Sequence, residues 1–267
     1  MRTGKGVAVA VIDSGVNPDH PHVSGVAGGV RIDLAGDASG DHVDRLGHGT
    51  AVFAAIQEKA PGADLFAVRV FEDRLRTSSR ALVAAIDWAA ERRMRVVNLS
   101  LGTLREEHAG PLGEALERLA RAGGVVVAAA EADGQRWWPG SLPSAIGVVM
   151  DARCPRERVD VRETSSSEDG RERDWVLAAS PYPRPIPGVP VEANLNGISF
   201  AVANVTGVLA RRVEGVSGPL TPEVCRELLL GAKNTRAPKS APERERTTKS
   251  RTVPPQEPPG RKAPSRP

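Results

Sequence analysis

Three side chains of the kinds needed for nucleophilic hydrolysis stand in short, glycine-rich contexts along the chain. Asp13 closes the apolar run of "VAVIDSGV", His48 opens a helical pattern in "LGHGTAVFAAI", and Ser199 lies two residues after a glycine in "NGISFAVANVTG". A hydroxyl is a weak nucleophile at neutral pH. An imidazole that takes its proton, itself oriented by a carboxylate, turns it into an effective one. Taken singly, each residue has an ordinary structural explanation, an aspartate at a strand end or a histidine or serine at a helix start. It is their combination that points to chemistry. The other histidines, His20, His22, His42 and His108, fall in loops, and the "HPH" pair lacks the further ligands of a metal centre.

Bringing these residues together is the task of the elements between them. Valine-rich runs at 6–12, 64–71, 95–101, 124–130 and 145–150 read as buried strands. Helical patterns fall at 49–60, 79–93, 110–122, 199–213 and 221–231, the last opening with Thr221 as N-cap and Pro222 at the first helical position. Strands alternating with helices predict an α/β fold, a doubly wound and mostly parallel sheet with helices on both faces. In such sheets sites form outside the carboxyl ends of the strands, where Asp13 lies. Residues 151–173 read as a charged, serine-rich surface excursion, and "SPYPRPIPGVP" as an extended loop.

Composition divides the chain. Residues 1–233 form one domain, whereas residues 234–267 carry nine Lys/Arg, three Glu and eight prolines with almost no large apolar side chain, the composition of a disordered tail. The domain holds 27 Lys/Arg against 30 Asp/Glu, which argues against a basic nucleic-acid-binding domain. Cys154 and Cys225 form no CxxC motif and read as two free thiols. The first apolar run, "VAVAVI", is too short for a secretory signal, and no run approaches the roughly 18 apolar residues of a membrane span. The expectation is a cytoplasmic monomer without cofactor, metal, nucleic-acid or membrane partner.

The motifs "AVIDSGV", "GHGT" and "NGIS" resemble, in order, the three active-site motifs of the subtilisin-like serine proteases, the subtilases. "DLFAVRV", "RVVNLSLG", "VVVAAA" and "WPGSLPSAIGV" resemble the strands and substrate-binding segments of that family, from about Gly6 to Lys233. The resemblance implies an endopeptidase acting through an acyl-enzyme, with Asp13 as orienting carboxylate, His48 as general base and Ser199 as nucleophile. It implies that a polypeptide substrate adds as a strand along Ser100, Leu101 and Gly102, with Ala130, Glu131 and Trp137 around the P1 side chain and Asn98 in a structural role. Trp137 filling the P1 pocket favours a small P1 residue; Glu131 would instead favour a basic one. The run from "AVFAAIQEKAPGA" into the next strand leaves no loop for the family's strong calcium site, which needs 6–8 oxygen ligands.

The chain also departs from the family. Glu131-Ala132 stands where the family reads Gly-Asn, so the amide that donates to the oxyanion is replaced by an alanine with no donor, leaving the backbone N–H of Ser199. Ile198, Phe200 and Ala203-Asn204 replace the usual Thr, Met and Pro-His. Losing the family's own oxyanion asparagine costs roughly 2.7–4 kcal/mol, ~10²–10³ in turnover. Total enzymatic barrier lowering is about 8–23 kcal/mol. A depleted oxyanion hole therefore implies a slow and selective protease rather than an inert one. With the family domain beginning about six residues after Met1, the chain is similar in outline to small intracellular subtilases that remove leader peptides from precursors. The alternative is a pseudoprotease that binds peptides without cutting them.

Overall fold

In the computed structural model, which describes residues 2–132, 134–164 and 174–231 apart from the side chain of Ala132, the valine-rich runs become a single sheet. The first half of the chain supplies β1 (Ala8–Asp13), β2 (Gly28–Ile32), β3 (Ala38–Ser39), α1 (His48–Lys59), β4 (Asp64–Arg69), α2 (Ser79–Glu91) and β5 (Val96–Leu99). Then follow α3 (Ala109–Arg121), β6 (Val125–Ala129), the short β7 (Glu131–Ala132) and β8 (Gln135–Arg136), and β9 (Ala145–Met150). β10 (Asp160–Glu163), β11 (Trp175–Ala179), α4 (Ile198–Arg212) and α5 (Pro222–Leu230) complete the described elements. The expected tail from Asn234 and part of the serine-rich stretch, 165–173, lie outside the described residues.

The sheet order is β10-β11-β9-β6-β5-β1-β4-β2-β3. The strands from β11 to β2 are parallel, and antiparallel β10 and β3 close the two edges. β1 lies between β4 and β5, so the winding reverses direction across it. A crevice opens at such a reversal, and Asp13 is the last residue of β1.

Both faces of the sheet are covered, and the period of two along each strand shows why the runs are continuously apolar. Val9 and Val11 join the core shared with α1 and α4, while Ala10 and Ile12 join the core on the α2–α3 side. β6 divides the same way, Val125 and Val127 to one side and Val126 and Ala128 to the other. Fully burying a side chain of this size stabilises the fold by about 1.5–3 kcal/mol.

The helices beside the sheet differ by position. α1 is wedged between sheet and α4, and Val52 through Ile56 are all buried. Even Gln57 is buried there, with its amide satisfied by Ser24 N–H at 2.8 Å and the Gly25 carbonyl at 2.9 Å. α4 is buried from Phe200 to Ala210. The two helices approach so closely that a Cβ on Gly207 would stand 2.8 Å from the Lys59 Cβ and 3.0 Å from the Ile56 carbonyl oxygen. That contact fixes the helix carrying His48 against the helix carrying Ser199. α2 and α5 are capped conventionally: Ser78 accepts from Ala81 N–H at 2.9 Å, and Thr221 from Val224 N–H at 3.2 Å.

The expected strands and helices occur within two residues of their predicted bounds. The surface excursion at 151–173 is corrected in part. Asp160–Glu163 pairs with Trp175–Ala179 as an edge strand, and its partly to fully exposed, mostly charged residues hide it from a search for apolar runs.

Candidate active site

Asp13 is buried at the end of β1, and His48 begins α1 beside it. Asp13 Oδ1 lies 2.7 Å from His48 Nδ1, with Asp13 almost wholly shielded and the imidazole a quarter exposed. The same oxygen accepts the Ser14 N–H at 2.7 Å. An ionised carboxylate only accepts, so His48 donates from Nδ1 and keeps its Nε2 lone pair for proton transfer. Burial works against the charged imidazolium. The Asp13 hydrogen bond, the Asp13 charge and the more distant Asp44 charge outweigh it and hold His48 above the ordinary imidazole range. The Phe200 ring, 5.9 Å from the imidazole centroid, packs beside it from α4.

The approach of β1 to α1 depends on glycine. A Cβ on Gly49 would lie 2.3 Å from the Gly15 carbonyl oxygen. The start of α1 also lacks a side-chain cap of its own, since Gly47 occupies the N-cap. Asp44 substitutes from the preceding loop. Its Oδ1 accepts the Leu46 and Gly47 N–H groups, both at 2.9 Å, and its Oδ2 accepts the Thr50 N–H at 2.8 Å and hydroxyl at 2.6 Å. The Ser14 hydroxyl donates to Asp44 at 2.8 Å and accepts the Gly49 N–H at 2.8 Å, tying the strand carrying Asp13 to the helix carrying His48. Burial pushes the Asp44 carboxyl up, but these Thr50, Leu46 and Gly47 bonds win and lower it below the usual aspartate value. Sequence reasoning passed over Asp44. The available signal was an acid three residues before a helix-opening glycine that cannot cap its own amides.

Ser199 lies in the first turn of α4 and shares with His48 a cleft of about 610 Å³. Its hydroxyl donates to the Ser100 carbonyl at 3.1 Å, and no hydrogen bond joins it to His48. Ser100 is itself held from below. The Asn98 side-chain Nδ2 donates to the Ser100 hydroxyl at 2.7 Å, and the buried Thr206 hydroxyl of α4 donates to Asn98 Oδ1 at 3.0 Å. Asn98 thus links β5 to α4 beneath the cleft. Asn204 makes a second link, its amide donating to the Ser180 and Tyr182 carbonyls at 2.9 and 3.1 Å.

Ser100, Leu101, Gly102 and Trp137 line the same cleft as His48 and Ser199. Thr103 and Trp138 exchange backbone hydrogen bonds of 2.9 Å in each direction, bringing the 137–138 segment alongside the 101–103 edge. A Cβ on Gly102 would lie 3.1 Å from the Trp137 ring, so the indole occupies the space beside that residue. Ala130 and Glu131 line a different cavity of about 410 Å³, with Arg136, Gly140 and Trp175. The structure therefore brings Trp137 to the cleft and does not bring Glu131 there. Ala132 closes β7, and its side chain lies outside the described residues.

A doubly wound sheet thus gathers a carboxylate-paired imidazole and a hydroxyl at one cleft. The chain belongs to the Subtilase family, whose model matches residues 4–250. It is 32% identical to the minor extracellular protease Epr of Bacillus subtilis over 62% of its length, and 30% identical to subtilisin E of the same organism over 80%. It spans about a quarter of the first relative (26%) and about half of the second (55%). Among solved structures, a cold-adapted subtilisin-like serine proteinase superposes with a TM-score of 0.62 at 26% identity, covering 84% of this chain and 81% of that one.

Proposed function

We propose that this protein is a serine endopeptidase that cleaves polypeptides through an acyl-enzyme, with Asp13, His48 and Ser199 as its catalytic residues. The observation that carries the reading is the 2.7 Å contact between the buried Asp13 carboxylate and His48, in the cleft that Ser199 shares. In the reaction His48 Nε2 takes the Ser199 proton as the hydroxyl oxygen attacks the scissile carbonyl. Asp13 stabilises the imidazolium, which then protonates the leaving amine; water attacks the acyl-enzyme by the reverse sequence. To begin, the Ser199 hydroxyl exchanges its Ser100 acceptor for the imidazole. Catalytic hydrogen bonds commonly tighten in this way only when substrate is bound.

The protease is slow and selective, consistent with processing of a precursor polypeptide inside the cell. With alanine at position 132, the Ser199 backbone N–H remains as the oxyanion donor. Trp137 beside Gly102 narrows the P1 space and favours a small residue there. A peptide-binding pseudoprotease is the second reading, and one observation favours it: the Ser199 hydroxyl points to a carbonyl instead of a base. A fluorophosphonate probe separates the two. Labelling of Ser199 that is lost in His48→Ala supports the protease; a folded protein that never labels supports the binder.

A further inference from the structure

The cleft extends away from His48 and Ser199, past Thr103, to the loop before α2, and its far end is cationic. Arg76, Arg105 and His108 line it beside Leu75 and Thr77, and no carboxylate is among the lining residues. General basicity does not explain this, since residues 1–233 carry 27 Lys/Arg against 30 Asp/Glu. Several other arginines of the domain are closely paired. Arg31 meets Glu72 at 2.7 Å, Arg118 meets Asp87 at 2.7 Å, and buried Arg69 meets Asp41 at 3.0 Å and Glu72 at 3.3 Å.

The two cleft arginines differ. Arg76 is exposed and has no ion-pair partner among the described residues. Among the described residues Arg105 meets only Glu107, at 3.5 Å, and both side chains are about 70% exposed (74% and 68%), so water and salt largely screen the pair. His108 touches the same Glu107 at 3.8 Å. The Thr77 hydroxyl is shielded from water and has no hydrogen-bond partner among the described residues. Two guanidiniums lining one cleft without a tight ion pair match a carboxylate side chain, which a planar guanidinium grips through two hydrogen bonds.

Resting on the protease reading above, we propose that this end of the cleft selects polypeptides with an acidic side chain, Asp or Glu, on the stretch lying along Leu101–Thr103. Successive residues of an extended chain advance ~3.3 Å each and alternate in direction. The preference therefore falls at one position, or at two positions two apart, on one side of the scissile bond.

The test is a fluorogenic peptide series with Glu, Gln or Lys placed in turn at each of four positions on either side of the bond. Expected is the order Glu, Gln, Lys at the favoured position, with kcat/KM for Glu about 3–10-fold above Gln at low salt and the gap shrinking in 0.5 M salt. In the double variant Arg76→Gln, Arg105→Gln the Glu-to-Gln ratio falls to about one, and in Arg76→Lys, Arg105→Lys it stays above one. Cleavage at equal rates for Glu and Gln at every position overturns this inference and leaves the protease reading standing. If no peptide is cleaved and Ser199 does not label, the protease reading fails. Fluorescence anisotropy of the same peptides then measures the Glu-to-Gln preference in binding, and equal affinities overturn the inference on their own.

Discussion

At the proton-transfer half of the site, Asp13 and His48 meet at 2.7 Å, and the strand and helix that bear them are tied together through Ser14, Asp44, Gly49 and Thr50. At the half that the protease reading assigns to oxyanion stabilisation, Ser199 donates to a carbonyl, and the sequence has Ala132 and Ile198 where the family resemblance expects side-chain donors. On the protease reading, this contrast is what separates the site from an efficient protease. Orientation of the base rests on a network of several side-chain and backbone hydrogen bonds beneath the cleft. Oxyanion stabilisation rests on single donors, each removable by one substitution at a cost of ~10²–10³ in rate.

If the proton-transfer half is functional, its loss is the largest effect to be measured. Asp13→Asn keeps the shape but favours the wrong imidazole tautomer, and kcat should fall about 10⁴-fold with little change in KM. A fall of less than tenfold would show that the pair is structural. Specificity comes next. Trp137→Gly opens the space beside Gly102, and the ratio of kcat/KM for a phenylalanine over an alanine P1 residue should rise about 10–10²-fold. An unchanged ratio would place the P1 pocket elsewhere.

Asp44 tests the scaffold itself. Asp44→Ala leaves the Leu46, Gly47 and Thr50 amides without their acceptor, and a loss of about 2 kcal/mol is expected. For a domain of this size that is a fall in Tm of roughly 4–8 °C. The smallest effect is the pH dependence of His48, whose pKa is raised above the ordinary 6.5. Its protonated form favours the fold. That contribution is complete below the unfolded value of 6.5 and is lost as pH rises through the folded value. Activity needs the neutral base, so kcat/KM should climb through the same window in which this stability declines. Activity already at its maximum below pH 6.5 would contradict the assignment of His48.

Much of this was legible in the sequence, for identifiable reasons. β1, β4, β5, β6 and β9 are buried on both faces, and such strands leave continuous apolar runs. β10 is half exposed at an edge, and β2 carries two glycines and an arginine in five residues, so neither leaves one. Asp13, His48 and Ser199 were legible because strand ends and glycine-flanked helix starts mark them. The Asp44–Ser14 ties, the Asn98–Thr206 link and the separation of Glu131 from Trp137 depend on residues far apart in sequence meeting in space. No local pattern encodes them.

The central claim is that an assembled base works beside an oxyanion hole lacking its side-chain donor, and Ala132→Asn tests it most directly. On a peptide ester, the variant should gain in kcat by up to ~10²-fold with KM nearly unchanged, because the restored amide acts mainly in the transition state. Ser199→Ala should abolish turnover in both backgrounds. A wild-type rate already equal to that of the variant, with both dependent on Ser199, would show that another donor fills the hole and would contradict the account.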